Sequence, residues 1–370
     1  MPADDSQVRA ALGAVEDPAL GHPIGELGEL AAVTVADGAV RVQLALPLPE
    51  DGWPSEPLVA RVEEVLAALP EVTGVQVERR AMTEPEAAAA ARVLRGEPPP
   101  NPLTVLDAAA AATPRPRRNP FTDASTRVLA VASGKGGVGK SSVSANLAVT
   151  LARRGQRVAA VDADVYGFSL PRMLGVDHPP GVIDDVIIPP SAHGVRLVSM
   201  GFFAREDQAV IWRGPMLHKA LEQFLTDVHW AEPDFLVVDM PPGTGDVSIS
   251  LGQLLPRAEA VIVTTPQPLA QEVAARAALM AQKTDMRVIG VVENMTSEVF
   301  GEGGGAGLAG ALGVPLLGTV PLDLRLREAG DSGEPLVWSD PEAEAARAIV
   351  AVAEAIEAAR QTFKPLPVLS

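Results

Sequence analysis

Gly134-Lys135-Gly136-Gly137-Val138-Gly139-Lys140-Ser141 stands between an apolar run, Val128–Ala132, and a stretch with helical spacing, Ser142–Arg153. Glycines permit positive φ and close backbone approach, so successive N–H groups can turn toward phosphate oxygens. A helix starting near Ser141 adds its positive N-terminal end. In such a loop Lys140 reaches the β- and γ-phosphates of ATP and Ser141 ligates Mg²⁺. A plain Gly-rich turn accounts for the glycines. It does not account for the strand before, the helix after and the Lys-Ser pair together. The candidate nucleotide-contacting residues are therefore Gly134, Lys135, Gly136, Gly137, Val138, Gly139, Lys140, Ser141 and Ser142.

Working outward, short apolar runs continue at Val158–Val161, Val195–Met200, Phe235–Val238, Ala260–Thr264, Val288–Val292 and Leu316–Val320. Helical stretches lie between them, including Met216–Val228 and Leu269–Lys283, and residues 341–360 read as a last Ala-rich helix. Continuous apolar strands separated by helices predict an α/β fold: a mostly parallel sheet with helices on both faces. Ligands of such sheets bind at the carboxyl ends of the strands.

Acids stand at two of those ends. Asp162-Ala163-Asp164 closes one strand, and Asp239 closes Phe235–Val238 before Met240-Pro-Pro-Gly243-Thr-Gly245-Asp246. Asp239 is read as holding Mg²⁺ through water, Asp162 as a more distant Mg²⁺ partner, and Asp164 as the group that positions or deprotonates the attacking water. Gly243 gives the backbone a place to sense the γ-phosphate and move. An Asp at a strand end also serves as a helix cap, and for Asp162 and Asp164 that reading stays open.

Before residue 81 the pattern is α-β-β-α-β: Val8–Val15, Val33–Val35, Val40–Leu46, Leu58–Leu69 and Gly74–Val77, with Asp37-Gly38 as a hairpin turn. This predicts a small α+β domain over 1–80, followed by an Ala/Pro-rich linker over 81–125 and the ATPase domain over 126–365. The linker accommodates one short helix but not the proline clusters Pro98–Pro102 and Pro114–Pro120. Its Arg115, Arg117 and Arg118 read as solvated charges.

The net charge of −17 opposes nucleic-acid binding. No apolar run approaches the ~20 residues of a spanning helix. The last helix carries Glu342, Glu344, Glu354 and Glu357 against Arg347 and Arg360, without the basic face of a membrane-surface helix. The start, Met1-Pro2-Ala3-Asp4-Asp5, lacks a basic, apolar leader. A cytoplasmic protein with neither a nucleic-acid nor a membrane partner is expected.

Lys135 makes the loop resemble the deviant Walker A loop of the division-site and chromosome-partition ATPases, nitrogenase iron protein and arsenite ATPase. That resemblance implies a homodimer in which Lys135 crosses to the partner's nucleotide. Further motifs narrow it: Asp162-Ala-Asp-Val-Tyr-Gly167, Trp212-Arg-Gly-Pro-Met216, Asp239-Met-Pro-Pro-Gly-Thr-Gly-Asp246, Thr264-Thr-Pro-Gln267, Glu293-Asn-Met295 and Arg327–Leu336. Together they resemble the Mrp/ApbC family of ATP-binding iron–sulfur cluster carriers. The first segment, with Asp17-Pro18, is similar to the small domain fused ahead of many members. The resemblance implies Mg²⁺-dependent ATP hydrolysis with Lys135, Lys140, Asp164 and Asp239 as catalytic residues, an adenine contact at Asn294, iron–sulfur client or carrier proteins as partners, and a role in cluster assembly or transfer.

One departure stands out. Cluster-carrying members have a Cys-X-X-Cys pair shortly after Glu-Asn-Met; here Thr296–Gly305 has none, and the chain contains no cysteine at all. Thiolate-held cluster binding by this chain is therefore excluded. Its five histidines, at 22, 178, 193, 218 and 229, lack metal-ligand spacing. A metal-free nucleotide switch that binds partner proteins stays open as an alternative, as does a partition or division-site ATPase.

Overall fold

The computed structural model describes residues 5–36, 38–47, 55–70, 72–97, 119–122, 126–165, 167–203, 214–243 and 245–359. Asp37 of the expected turn lies outside them. So do most of the two proline clusters with Arg115, Arg117 and Arg118, and Tyr166, Trp212, Arg213, Thr244 and Arg360. The chain divides into two compact units.

In the first unit, helix α1 (Asp5–Gly13) precedes strands β1 (Leu30–Ala36) and β2 (Ala39–Leu46), helix α2 (Glu56–Ala67) and strand β3 (Gly74–Ala81). β1 and β2 pair antiparallel; β2 and β3 pair parallel. Alternation in β2 sends Val40, Val42, Leu44 and Leu46 to a common core with Leu58, Val62 and Leu66 from α2. These five elements come in the expected α-β-β-α-β order, with the two-residue strands Glu16–Asp17 and His22–Pro23 and the short helix Ile24–Leu27 added after the first helix.

The stretch read as a linker holds the one short helix which that reading accommodates. Glu84–Leu94 is a helix, α3, started by a reciprocal cap in which the Thr83 N–H donates to Glu86 at 2.8 Å. Ala90 and Ala91 are fully buried against Leu20, Leu27 and the hairpin strands Gly181–Ile183 and Val186–Ile188. The unit thus collects residues 178–190 and 226–231 from far along the chain.

The second unit holds β4 (Arg127–Ser133), α4 (Lys140–Arg153), β5 (Val158–Asp162), β6 (Val195–Ser199), α5 (Gly214–Thr226, whose last residue falls in the first unit), β7 (Phe235–Asp239), α6 (Asp246–Leu254), β8 (Glu259–Thr264), α7 (Pro268–Lys283), β9 (Arg287–Thr296), α8 (Gly304–Leu312), β10 (Leu316–Pro321), α9 (Leu324–Ser332) and α10 (Glu344–Ala358). Its sheet runs β6-β5-β7-β4-β8-β9-β10, all parallel, with the antiparallel pair Ser191–Ala192 beside β6. Leu129, Val131, Val237, Val261 and Val263 join one core with α4 and α10. Their alternates Val128, Ala130, Leu236, Val238 and Ile262 are buried as well. Successive side chains point to opposite faces, so both faces are covered. The apolar runs needed no alternation for this reason.

A candidate nucleotide site at the strand ends

β4, β5 and β7 are neighbours in the sheet and end level with one another. Asp239 pairs in register with Asp162 on one side and with Val131 on the other. The phosphate loop leaves β4 here, and α4 begins at Lys140 behind Gly139. Gly137 and Gly139 both have φ of 79°, which only glycine adopts without strain. Gly134 is needed for space: a Cβ there would overlap the backbone of Val273 and Ala274 in α7.

Four groups converge on Asp239. Its carboxylate pairs with Lys140 Nζ at 2.6 Å. It accepts hydrogen bonds from Ser141 Oγ at 2.7 Å and from Ser144 Oγ at 2.6 Å. Asp162 adds its charge from the neighbouring strand. Lys140, Ser141 and Ser144 lie on one face of the first turns of α4. Asp239 is fully buried, and its donors compensate a charge that burial alone would penalise. Ser144 is a residue the sequence reading missed. Its signal was the i, i+4 spacing from Lys140 on a helix aimed at an acid.

Asp162 is also fully buried, and its oxygens are taken by the chain itself. Oδ2 accepts from the N–H groups of Ser169 (2.9 Å) and Leu170 (3.0 Å) and from Ser199 Oγ (3.3 Å), and Oδ1 from the Asp164 N–H (3.2 Å). Burial first, and then the charge of Asp239, push its carboxyl up to about 7 against those donors. In this arrangement Asp162 shapes the segment that carries Asp164. Asp164 is half-buried and accepts the Gly167 N–H at 3.1 Å.

A cavity of about 240 Å³ opens over the loop, lined by Lys135, Gly137, Lys140, Ser141, Asp164 and Pro242 among others. Lys135 is exposed at this cavity. Gly243, at φ 88°, donates its N–H to Ser133 O at 2.9 Å and so ties the segment after Asp239 to the root of the loop. Asn294 is brought to the loop from behind: its Nδ2 donates to Val138 O at 2.9 Å, and it is fully buried rather than part of the cavity lining. Its Oδ1 is buried without a hydrogen-bond donor among the described residues.

The donor set suits a hard cation. A hydroxyl and a carboxylate, Ser141 and Asp239, already share one point, and oxygen ligands of this kind are those of Mg²⁺. Thiolates are absent, and no cluster of three or more metal-ligating side chains occurs among the described residues.

Comparisons agree with this geometry. Residues 124–357 match the family described as NUBPL iron-transfer P-loop NTPase. Residues 5–78 match the family described as iron–sulfur cluster assembly protein. An iron–sulfur cluster carrier protein of Mycobacterium tuberculosis is 42% identical, covering 96% of this chain and 94% of its own. One from Bacillus subtilis is 40% identical over 86% of this chain and 88% of its own. Among solved structures, a nucleotide-binding protein of Archaeoglobus fulgidus in complex with ADP matches with a TM-score of 0.51 and 33% identity, covering 59% of this chain and 89% of that one. The cell division ATPase MinD of Pyrococcus furiosus matches with a TM-score of 0.51 and 28% identity, covering 62% of this chain and 98% of that one. With a P-loop NTPase profile over most of its length and relatives above 40% identity along nearly all of it, the chain belongs to the family of iron–sulfur cluster carrier proteins.

Proposed function

We propose that this chain is a Mg²⁺-dependent ATPase that acts as a cytoplasmic homodimer in iron–sulfur cluster assembly or transfer. The observation that carries the ATPase reading is the convergence of Lys140, Ser141 and Ser144 on Asp239 beneath a glycine loop. Lys140 and the loop N–H groups bind and orient the β- and γ-phosphates. Ser141 would ligate Mg²⁺ and Asp239 would hold it through water, and the ion would supply neutralisation of phosphate charge. Asp164 orients the attacking water and accepts its proton. Lys135, exposed beside the site, stabilises charge that develops during transfer, reaching across from a second copy. The orphaned Oδ1 of Asn294 suits an amino donor such as that of adenine while Nδ2 stays on Val138 O. The relatives' name supplies the pathway, and the cargo chemistry differs: client or carrier proteins must provide the thiolates.

The zero cysteine count favours a second reading, in which the chain is a nucleotide switch that binds partner proteins and holds no cluster itself. Anaerobic incubation with ferrous iron and sulfide, then desalting and iron analysis, separates the two. Retention only when a thiol is added supports cargo held by outside ligands; none under either condition supports the switch. Stoichiometric retention without thiol would refute the cysteine argument. For the ATPase itself, phosphate release should require Mg²⁺; none at any Mg²⁺ concentration would sink it.

A further inference from the structure

Near its carboxyl end β9 carries two fully buried polar side chains, Glu293 and Asn294, which as consecutive strand residues face opposite ways. Each holds a different loop. The Asn294 amide holds Val138 O. In a trans peptide the carbonyl and the following N–H point in opposite directions. Holding Val138 O from behind therefore turns the Gly139 N–H outward, to the side where the cavity lies. A Cβ on Gly139 would overlap the Asn294 amide, so loop and amide are in direct contact.

Glu293 works on the other face. Its carboxylate accepts the N–H of Gly303 at 2.8 Å and also the N–H of Gly305, at the start of α8. A Cβ on Gly304 would overlap Gln271 and Pro266 O, and one on Gly305 would crowd Glu293. Gly304 and Gly305 thus have a packing role of their own. Between the two anchors the chain passes a bulge at Met295, whose φ is 63°. It then forms a short hairpin closed by Gly301 N–H to Ser297 O at 2.7 Å. Val299, at its tip, is 83% exposed.

We propose that Glu293 and Asn294 link the phosphate loop to the 297–301 hairpin. Asn294 is a positioning residue that sets the 138–139 peptide, Glu293 pins the far end of the hairpin, and a shift of the loop on nucleotide binding moves the hairpin tip. This rests on the nucleotide-site reading. A bulge residue in the left-handed region is the kind of strained point at which a strand end can be re-aimed.

The absence of cysteine makes the test clean, because Val299→Cys carries the single thiol in the chain. An environment-sensitive fluorophore on that thiol should respond to Mg·ADP, with a midpoint equal to the calorimetric Kd. Asn294→Ala should weaken Mg·tripolyphosphate binding about tenfold. That probe has no adenine, so unchanged affinity would overturn the positioning role. At saturating nucleotide the tip response should be lost in Asn294→Ala and reduced in Glu293→Gln. Should Asn294→Ala not bind, Glu293→Gln alone decides. Full response in the variant that binds, or none in the parent despite calorimetric binding, overturns the link. Failure of the parent to bind any nucleotide removes the site reading, and the link with it.

Discussion

Asp162 and Asp239 lie buried side by side in the second unit, and Asp17 and Glu29 lie buried together in the first. The two pairs are treated differently. Asp239 has a lysine and two hydroxyls within 2.7 Å, and Asp162 has three backbone N–H donors and a serine. Asp17 accepts the N–H groups of Ala19 (2.6 Å) and Leu20 (3.1 Å). Glu29 has no hydrogen-bond donor of that kind among the described residues and interacts with the Asp17 carboxyl. Burial, and then Asp17, push Glu29 up to about 9, whereas Asp162 is held to about 7. Burial is common to both pairs; the donors decide how much negative charge each can carry. A carboxylate poised for a cation needs donors that can be exchanged for it, and of these two pairs Asp239 has them among the described residues.

The sharpest way to break this contrast is to remove the lysine. Lys140→Ala leaves the Asp239 charge buried beside Asp162 and should cost about 3–5 kcal/mol of stability in the second unit. It should also abolish ATP binding. Adding Asp239→Asn should recover most of the stability and none of the binding. Chemical denaturation with calorimetry reads both, and ATP affinity unchanged in the single variant would sink the phosphate-loop assignment.

Lys135 is the exposed counterpart of Lys140 in the same loop. Lys135→Ala should leave nucleotide affinity within about threefold and lower hydrolysis about 10²–10³-fold, the scale for one donor aimed at developing charge. Mixing it with Asp164→Ala protein should restore part of the activity if each site is built from two copies. Light scattering that finds no ATP-dependent dimer would remove this role.

Glu29 tests the other side of the comparison. Its folded value near 9 lies above an unfolded value near 4.5, so between them the folded state binds the extra proton. Stability of the first unit should therefore fall as pH rises through that window. From pH 6 to pH 8 the loss should be about 2–3 kcal/mol, from 1.36 kcal/mol per unit. Glu29→Gln should flatten the slope. Hydrogen exchange of the Val40–Leu46 amides reports on this unit; the same slope in the variant would show that Glu29 is already ionised.

The loop, the strand order of types and the acid at the end of β7 were legible because they depend on local residue choice: glycine for φ, apolar runs for buried strands, Asp at a carboxyl end. Boundaries held where the chemistry was local. β6 ends at Ser199 instead of continuing to Met200, and the last helix spans Glu344–Ala358 within the expected 341–360. The donors of Asp162 were not legible, since Ser169, Leu170 and Ser199 reach it only after β5 and β6 pair. Nor was the burial of Glu29, which reads in sequence as a surface acid beside Gly28. The segment Gly181–Ile188 offered two short apolar stretches with nothing to say which core they join.

That segment has a consequence for how the molecule can be cut and inherited. The first unit is assembled from 5–97, 178–190 and 226–231, so two of its pieces are encoded inside the stretch that matches the P-loop NTPase family. A gene truncated after residue 97 would lack the partners of Leu20, Ala90 and Ala91. One begun at residue 119 would express Ile183, Val186 and Ile188 without Leu20, Leu27, Ala90 and Ala91. Neither half is a portable cassette, and shuffling either onto another protein would carry sticky surface with it. Exchange of the leading segment between relatives would have to preserve the match to this distant hairpin.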